Sequence, residues 1–348
     1  MLRYNIKNMK LRIFKRDRID AISTVISAIL AITIFVGAAI STIFLGIPYI
    51  NDLQSQESLE NVEMQFKLIL DNIKDIVTGE ADGKNVLTLA IEEGSLSNNK
   101  NDFDRTILMY SYGNFNFSIS KLDNIVSKFK LNIISNESEP IDEVDIFRIN
   151  DDGNLGEELL STYSDSYITI EPNLFKGKIV IFLNKSGVPK GKIWLFDSES
   201  LVFKTQSNTG SYKLILEKGG IIYTKNKNSQ VKKLFNIYLK HNSFGLHVLQ
   251  TNVSKPFTVS GGGEFNIRIS IESRGSALQE LNNVFNLRLQ LHGENAQTWL
   301  KYINNKYVDK FVLLDEDNNG LVDTLFLSGS QNGVDLTFLN SVVNLNKV

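Results

Sequence analysis

The 348-residue chain contains no cysteine. Disulfides, thiolate zinc sites and cysteine nucleophiles are therefore excluded, and stability outside a cell would have to come from packing, glycans or hard cations. Histidine is nearly as scarce, with only His241, His247 and His292. None has the His-Glu-x-x-His spacing of a zinc protease, and His241 and His247 straddle a turn signal instead of sharing a helix face. They are expected as surface residues or internally satisfied ones. Neither a Gly-x-Ser-x-Gly elbow nor a Walker-type phosphate loop occurs. Ser260-Gly261-Gly262-Gly263-Glu264 is glycine-rich, but no helix follows it to present an N-terminus to phosphate, so it reads as a bulge or tight strand connection. The chain reads as a non-enzyme, with an anchored ectoenzyme as the least favoured alternative.

Net positive charge is concentrated in a short N-terminal piece of the chain. The formal net charge is −2, yet residues 1–20 carry Arg3, Lys7, Lys10, Arg12, Lys15, Arg16 and Arg18 against only Asp17 and Asp20. A basic tail on a mildly acidic body is not the footprint of a nucleic-acid binder.

Charge of either sign is absent from Ala21 to Ile50, AISTVISAILAITIFVGAAISTIFLGIPYI. At about 1.5 Å per helical residue, some 20 residues cross a hydrocarbon core of about 30 Å, so this run is long enough to span a bilayer with tilt. A secretory signal has a shorter apolar region of about 7–15 residues ending at a small-residue cleavage site. With the cations before it and Asp52, Glu57 and Glu60 after it, the positive-inside rule places the tail in the cytoplasm and the C-terminal bulk outside. Gly37, Ala38, Ala39 and Ser41 offer a small-residue face for close helix approach.

The segment opening this run, Arg18-Ile19-Asp20-Ala21-Ile22-Ser23-Thr24-Val25-Ile26-Ser27, resembles the archaeal type IV pilin N-terminal motif: a basic tail, a small residue, then a hydrophobic-Ser-x-Val-Ile pattern opening a long apolar helix. The resemblance covers residues 15–50, including the helix exit at Gly46-Ile47-Pro48-Tyr49. Asp20 stands where a basic residue often precedes the cut, and Thr24 where proline is frequent. The resemblance implies cleavage by a prepilin-type peptidase after Ala21, Ile22 as the mature N-terminus, and a retained helix that bundles with those of other pilin-like subunits in a filament. A plain signal anchor that is never processed is the other reading of the same residues.

Beyond Pro48, apolar residues recur at Leu59, Val62, Phe66, Ile69, Ile73 and Ile76 in steps of three and four, the signature of an amphipathic helix. Gly79 and Asp82-Gly83 end it. The helix is expected to be kinked or interrupted at Pro48, and its outer half needs a sheet to cover the stripe. From about Asn85 the chain changes to short β-rich runs broken by Gly, Asn, Asp and Ser, which argues for antiparallel sandwich or meander architecture. A strand-turn-strand unit is expected around Lys218-Gly219-Gly220, and a short helix at Ala296–Asn304. The expected fold class is α+β, a long N-terminal helix packed on a predominantly antiparallel ectodomain of one or two β-rich parts. Its organisation reads as a leader over 1–21, a transmembrane helix over 22–50, an amphipathic helix over 51–78, and β-rich regions over 79–150 and 151–348, divided at the polar loop Asn150–Gly156.

One stretch matches the first nine positions of a calcium loop. Asp315, Asp317, Asn319 and Asp323 supply oxygens at positions 1, 3, 5 and 9, Gly320 stands at 6 and the Leu321 carbonyl at 7. Position 12 is Phe326, which carries no carboxylate, and Asn-Gly between two strands also reads as a plain hairpin turn. Asn-x-Ser sequons at Asn116, Asn136, Asn184 and Asn252 would be glycan acceptors in an exported chain. Together these features lead to the expectation of a single-pass membrane protein with an extracellular β-rich head for adhesion or subunit contacts. Its partners are the membrane, a prepilin-type peptidase and other pilin-like subunits, with no nucleic acid. No cofactor is expected beyond calcium at the 315–323 loop.

Overall fold

The apolar stripe from Val62 to Ile76 is buried in the computed structural model, as its spacing requires. The structure describes residues 4–80, 83–113, 115–125, 128–135, 141–150, 154–163, 167–170, 178–253, 255–273, 279–316 and 321–348; side chains are described within these except at 4–23, 99–103, 120–129, 163, 167, 170, 272, 273 and 279. One helix, α1, runs Tyr4–Thr78. Pro48 sits inside it and does not interrupt it. Of the two expected outcomes, interruption does not occur: a proline removes one backbone hydrogen bond and crowds the carbonyl four residues back, and the bonds of the flanking turns carry the helix past it. The chain divides into two units, one of residues 1–56 and 207–209, the other Glu57–Gln206 with Gly210–Val348.

In the first unit, every large apolar side chain from Val25 to Ile50 is exposed; Phe35 and Phe44 are 76% and 74% exposed. The helix is long and apolar enough to cross a membrane. Two of its hydroxyls are satisfied within the helix: Thr33 Oγ1 donates to Ile29 O at 2.8 Å and Thr42 Oγ1 to Ala38 O at 2.9 Å. Such i−4 back-bonding removes the cost of a hydroxyl in hydrocarbon. At the end of the run, Asn208 donates through its backbone N to Asp52 Oδ1 at 3.1 Å and through Nδ2 to the Pro48 carbonyl at 3.3 Å.

The second unit begins with the last turns of α1. They close with Gly79 in the left-handed region at φ 82°, Gly79 N donating to Ile76 O and Glu80 N to Asp75 O. This is the Schellman arrangement, which glycine accommodates without a Cβ clash. Strands β1 (Lys84–Ile91), β2 (Ser95–Tyr112), β3 (Phe117–Ile125), β4 (Lys128–Ser135), β5 (Glu143–Ile149), β6 (Leu155–Tyr163) and β7 (Tyr167–Ile170) follow. Then come β8 (Lys178–Lys185), β9 (Val188–Ser207), β10 (Gly210–Glu217), β11 (Gly220–Lys225), β12 (Asn228–Lys233), β13 (Ile237–Lys240) and β14 (Ser243–Asn252). The last elements are β15 (Thr258–Ser260), β16 (Gly263–Ser273), β17 (Gln279–His292), α2 (Ala296–Lys306), β18 (Phe311–Leu314), β19 (Thr324–Leu327) and β20 (Val334–Lys347).

Among the described residues β3, β4 and β7 form a small sheet, and the other strands join in one large one. Among the described residues β14 and β20 run parallel, from Ser243↔Asp335 to Asn252↔Asn344, within a predominantly antiparallel sheet. The Asn150–Gly156 stretch, read as a boundary, joins β5 to β6, which pair from Glu143↔Tyr163 to Ile149↔Leu155. The glycine run at 261–263 is the tight β15–β16 connection, with Gly261 and Gly262 at φ 40° and 71°.

Three apolar clusters fill this unit, and the two-residue period of a strand decides which side chain enters which. Along β2, Ile107 and Met109 face the small sheet with Ile119, Leu131 and Ile133. Leu108 and Tyr110 face the opposite side with Trp194, Phe196 and Trp299. The continuous apolar runs of β2, β8 and β9 are thus strands covered on both faces. The third cluster joins Val62, Phe66, Ile69, Ile73 and Ile76 of α1 to strands β1, β10, β11, β16 and β20. Gln65 completes this contact: its Nε2 donates to Ala90 O at 2.8 Å and its Oε1 accepts from Ala90 N at 3.2 Å. The side chain thereby satisfies backbone groups of β1 that strand pairing leaves open.

Candidate functional site

The residues singled out in the sequence are dispersed. Ala21 and Ile22 lie within the backbone of α1, and their side chains fall outside the described residues. Asp317, Asn319 and Asn136 also lie outside them. Of the candidate calcium loop, Leu321 is exposed and Asp323 buried. Asp323 Oδ1 accepts from Glu316 N at 3.3 Å and from Thr324 Oγ1 at 2.6 Å, which closes the loop at its base. Asn116 is exposed, and its Oδ1 accepts from Arg288 at 3.1 Å. Asn184 is buried with Nδ2 donating to Asp145 Oδ2 at 2.5 Å, whereas Asn252 is half-buried at the end of β14. Among the described residues, no group of three or more His, Asp or Glu side chains is placed to hold a metal.

Two ionic clusters that periodicity and motif spacing did not reveal are built inside the β-rich unit. The first centres on Arg288 of β17. Its Nε lies 2.8 Å from Glu316 Oε1, both side chains being buried, and its guanidinium also donates to the Phe117 carbonyl. Glu316 Oε2 and Asp323 Oδ2 are buried without hydrogen-bond partners among the described residues. Burial raises the Glu316 carboxyl above its ordinary range against the pull of Arg288, and Asp323 adds to the rise.

The second cluster joins three segments. Asp104 lies in β2 beside an irregularity in its pairing with β9. Lys218 and Gly219 form the two-residue turn between β10 and β11, at φ 53° and 82°. Positive φ at both positions is the type I′ hairpin requirement. Lys218 Nζ lies 3.6 Å from Asp104 Oδ1, with side chains 3% and 5% exposed. Glu217, also buried, accepts from Trp299 Nε1 at 2.5 Å and from Asn295 Nδ2 at 3.1 Å. Burial drives the Asp104 carboxyl well above the ordinary carboxylate range despite Lys218 beside it, and the neighbouring Glu217 adds to the rise. Gly293, at φ 128°, leaves the room that the Asp104 carboxyl occupies; a Cβ there would collide with Oδ1. A small cavity of about 10 Å³, the space of roughly one water, adjoins Asp104, Glu217, Ser200 and Asn295.

The histidines are internal structural groups where they are buried. Asn236 Nδ2 faces His247 Nδ1 at 3.3 Å, which leaves the proton on Nε2 to donate to Ser341 Oγ at 3.0 Å. Burial lowers the His247 pKa to about 4. Burial, with Arg105 and Lys218 nearby, lowers that of His292 to about 3. Unfolded histidines take up protons near pH 6.5 whereas these two stay neutral in the fold, so stability is expected to fall as pH drops from 6.5 towards 4 and 3. The raised carboxyls of Asp104 and Glu316 act in the opposite sense, holding protons that unfolded carboxylates have released. Comparing denaturation of the wild type with the double variant His247→Gln, His292→Gln isolates the histidines: the variant should lose less stability across this pH window. An unchanged slope would show that neither ring titrates differently on unfolding.

No family model matches the chain, and no curated protein or solved structure matches it.

Proposed function

We propose that the chain is a membrane-anchored, pilin-like surface subunit, with its basic tail on the cytoplasmic side and its β-rich unit outside. The reading rests on α1: side chains of its 24–50 run are apolar and uncovered, while the stripe from Val62 to Ile76 is buried under strands. Lipid or neighbouring helices are the environments in which such a run is stable, because water disfavours an uncovered apolar surface of this length. The cations of residues 1–20 set the orientation through the positive-inside rule. The resemblance around Ala21 to the archaeal type IV pilin motif supports processing on the cytoplasmic side, with the apolar helix retained for packing against other subunits. A minor or accessory subunit fits a 348-residue chain, whose head would supply adhesion or subunit contacts without catalysis.

The deciding measurement is the N-terminal residue of the protein isolated from its native membranes or filaments. A chain beginning at Ile22 is expected. One that keeps residues 1–20 in cells with an active prepilin-type peptidase would instead be an unprocessed signal-anchored envelope protein.

A further inference from the structure

We propose that Lys218 and Asp104 form an intramolecular amide bond, with Glu217 as the proton-transferring group. The two reacting side chains are both buried and 3.6 Å apart between Nζ and Oδ1, and the segments that carry them leave them little freedom. Lys218 is fixed by a two-residue turn whose backbone is left-handed at both positions. Asp104 is held against Gly293, where any side chain would displace it. Holding two groups at contact distance without water between them is the condition under which an otherwise very slow condensation becomes effectively unimolecular.

The third group is placed for the proton traffic. Glu217 lies beside the Asp104 carboxyl, the two lining one small cavity, and is itself oriented by Trp299 and Asn295. In the reactive form Asp104 is a carboxylic acid and Lys218 a neutral amine, a state that differs from the ion pair by one proton passed across the contact. Burial favours this neutral form of Asp104. Nζ attacks Cγ of Asp104 and the C–N bond forms; Glu217 takes the proton released by nitrogen and returns it to the hydroxyl. The Cγ–OH bond then breaks and one water leaves. The balance is amine plus acid giving amide plus water, with no oxidant, reductant or cofactor. The adjoining cavity has room for that departing water.

The bond would join β2 to the β10–β11 turn and close the chain between residues 104 and 218. A cross-link of this kind restricts the unfolded chain as a disulfide does, and it is available to a chain without cysteine. It depends on the interior of the β-rich unit alone, so it stands or falls independently of membrane anchoring and processing.

Intact-mass measurement of the purified full-length chain, with peptide mapping to fix its actual termini, tests the proposal. The wild type is expected to be lighter than its sequence by one water, and trypsin digestion should yield one branched peptide carrying both Asp104 and Lys218. Lys218→Met and Glu217→Gln are each expected to restore the full sequence mass; Glu217→Gln keeps the volume and hydrogen-bonding capacity of the side chain while removing its carboxylate. A wild type of full sequence mass overturns the bond, whatever the variants do. A missing water mapped to a single unbranched peptide also overturns it, and an undiminished cross-link in Glu217→Gln overturns the role given to Glu217.

Discussion

Phe66→Ala is expected to destabilise the β-rich unit by about 3–5 kcal/mol, the range for truncating a large buried aromatic side chain. Phe66 is 0% exposed in the middle of the helical stripe, among Ile69, Leu89, Leu214, Ile267 and Leu345. The cavity left behind would be bordered by side chains from strands in distant parts of the sequence, which cannot all move inward without breaking their pairing. Helix and sheet would therefore lose stability together. Both tryptophans, Trp194 and Trp299, belong to another cluster of the same unit. Their fluorescence during chemical denaturation of the full-length protein in detergent reports global unfolding. Leu68→Ala, at a position 55% exposed on the same helix, serves as the control and should change stability by no more than about 0.5 kcal/mol. If Phe66→Ala behaves like the control, the helix is not part of the cooperative core.

Placing two charges in the centre of the apolar run is expected to abolish stable membrane insertion. Phe35 and Val36 lie in the helix with exposed side chains. Each arginine at a helix centre costs about 2.5–3.5 kcal/mol on insertion scales, so Phe35→Arg with Val36→Arg opposes insertion by about 5–7 kcal/mol. Long side chains snorkel most readily near helix ends, and these two positions are far from them. Fractionation followed by an alkaline carbonate wash measures the outcome: the wild type should remain with the membrane pellet and the double variant should leave it. Retention of the variant in the washed pellet would count against α1 as the anchor. The stability of the β-rich unit should be unaffected, because neither residue belongs to its apolar clusters.

The features most legible in the sequence were those carried by a local repeat. Leu59 to Ile76 could be read as one face of a helix because the 3.6-residue period is written in the chain itself, and five of those six positions are buried. Gly79 as the stop was equally legible, since the Schellman turn favours a residue without Cβ. The hairpin at Lys218-Gly219 and the helix from Ala296 followed from the same kind of local chemistry. Pro48 does not interrupt the helix, because the local loss of one backbone hydrogen bond does not outweigh the bonds of the turns on either side. Strand β20 carries a weaker local signal, although it pairs with β14, β16 and β17. Its sequence, VDLTFLNSVVNLNK, interleaves polar residues with apolar ones, and several of those polar residues, Asn340 and Ser341 among them, are buried.

Composition and spacing alone determined that the chain has no thiol chemistry, that one charge-free run is long enough to span a bilayer, and that an amphipathic helix leads into a β-rich body. Each of these is a property of neighbouring residues. Only the tertiary structure decided which strands share a sheet, that β14 and β20 run parallel, and that Asp104, Glu217 and Lys218 meet in the interior. Sequence carries no signal for that last encounter, because 104 and 217–218 are far apart in the chain and isolated charged residues read as solvated surface until packing removes the water around them.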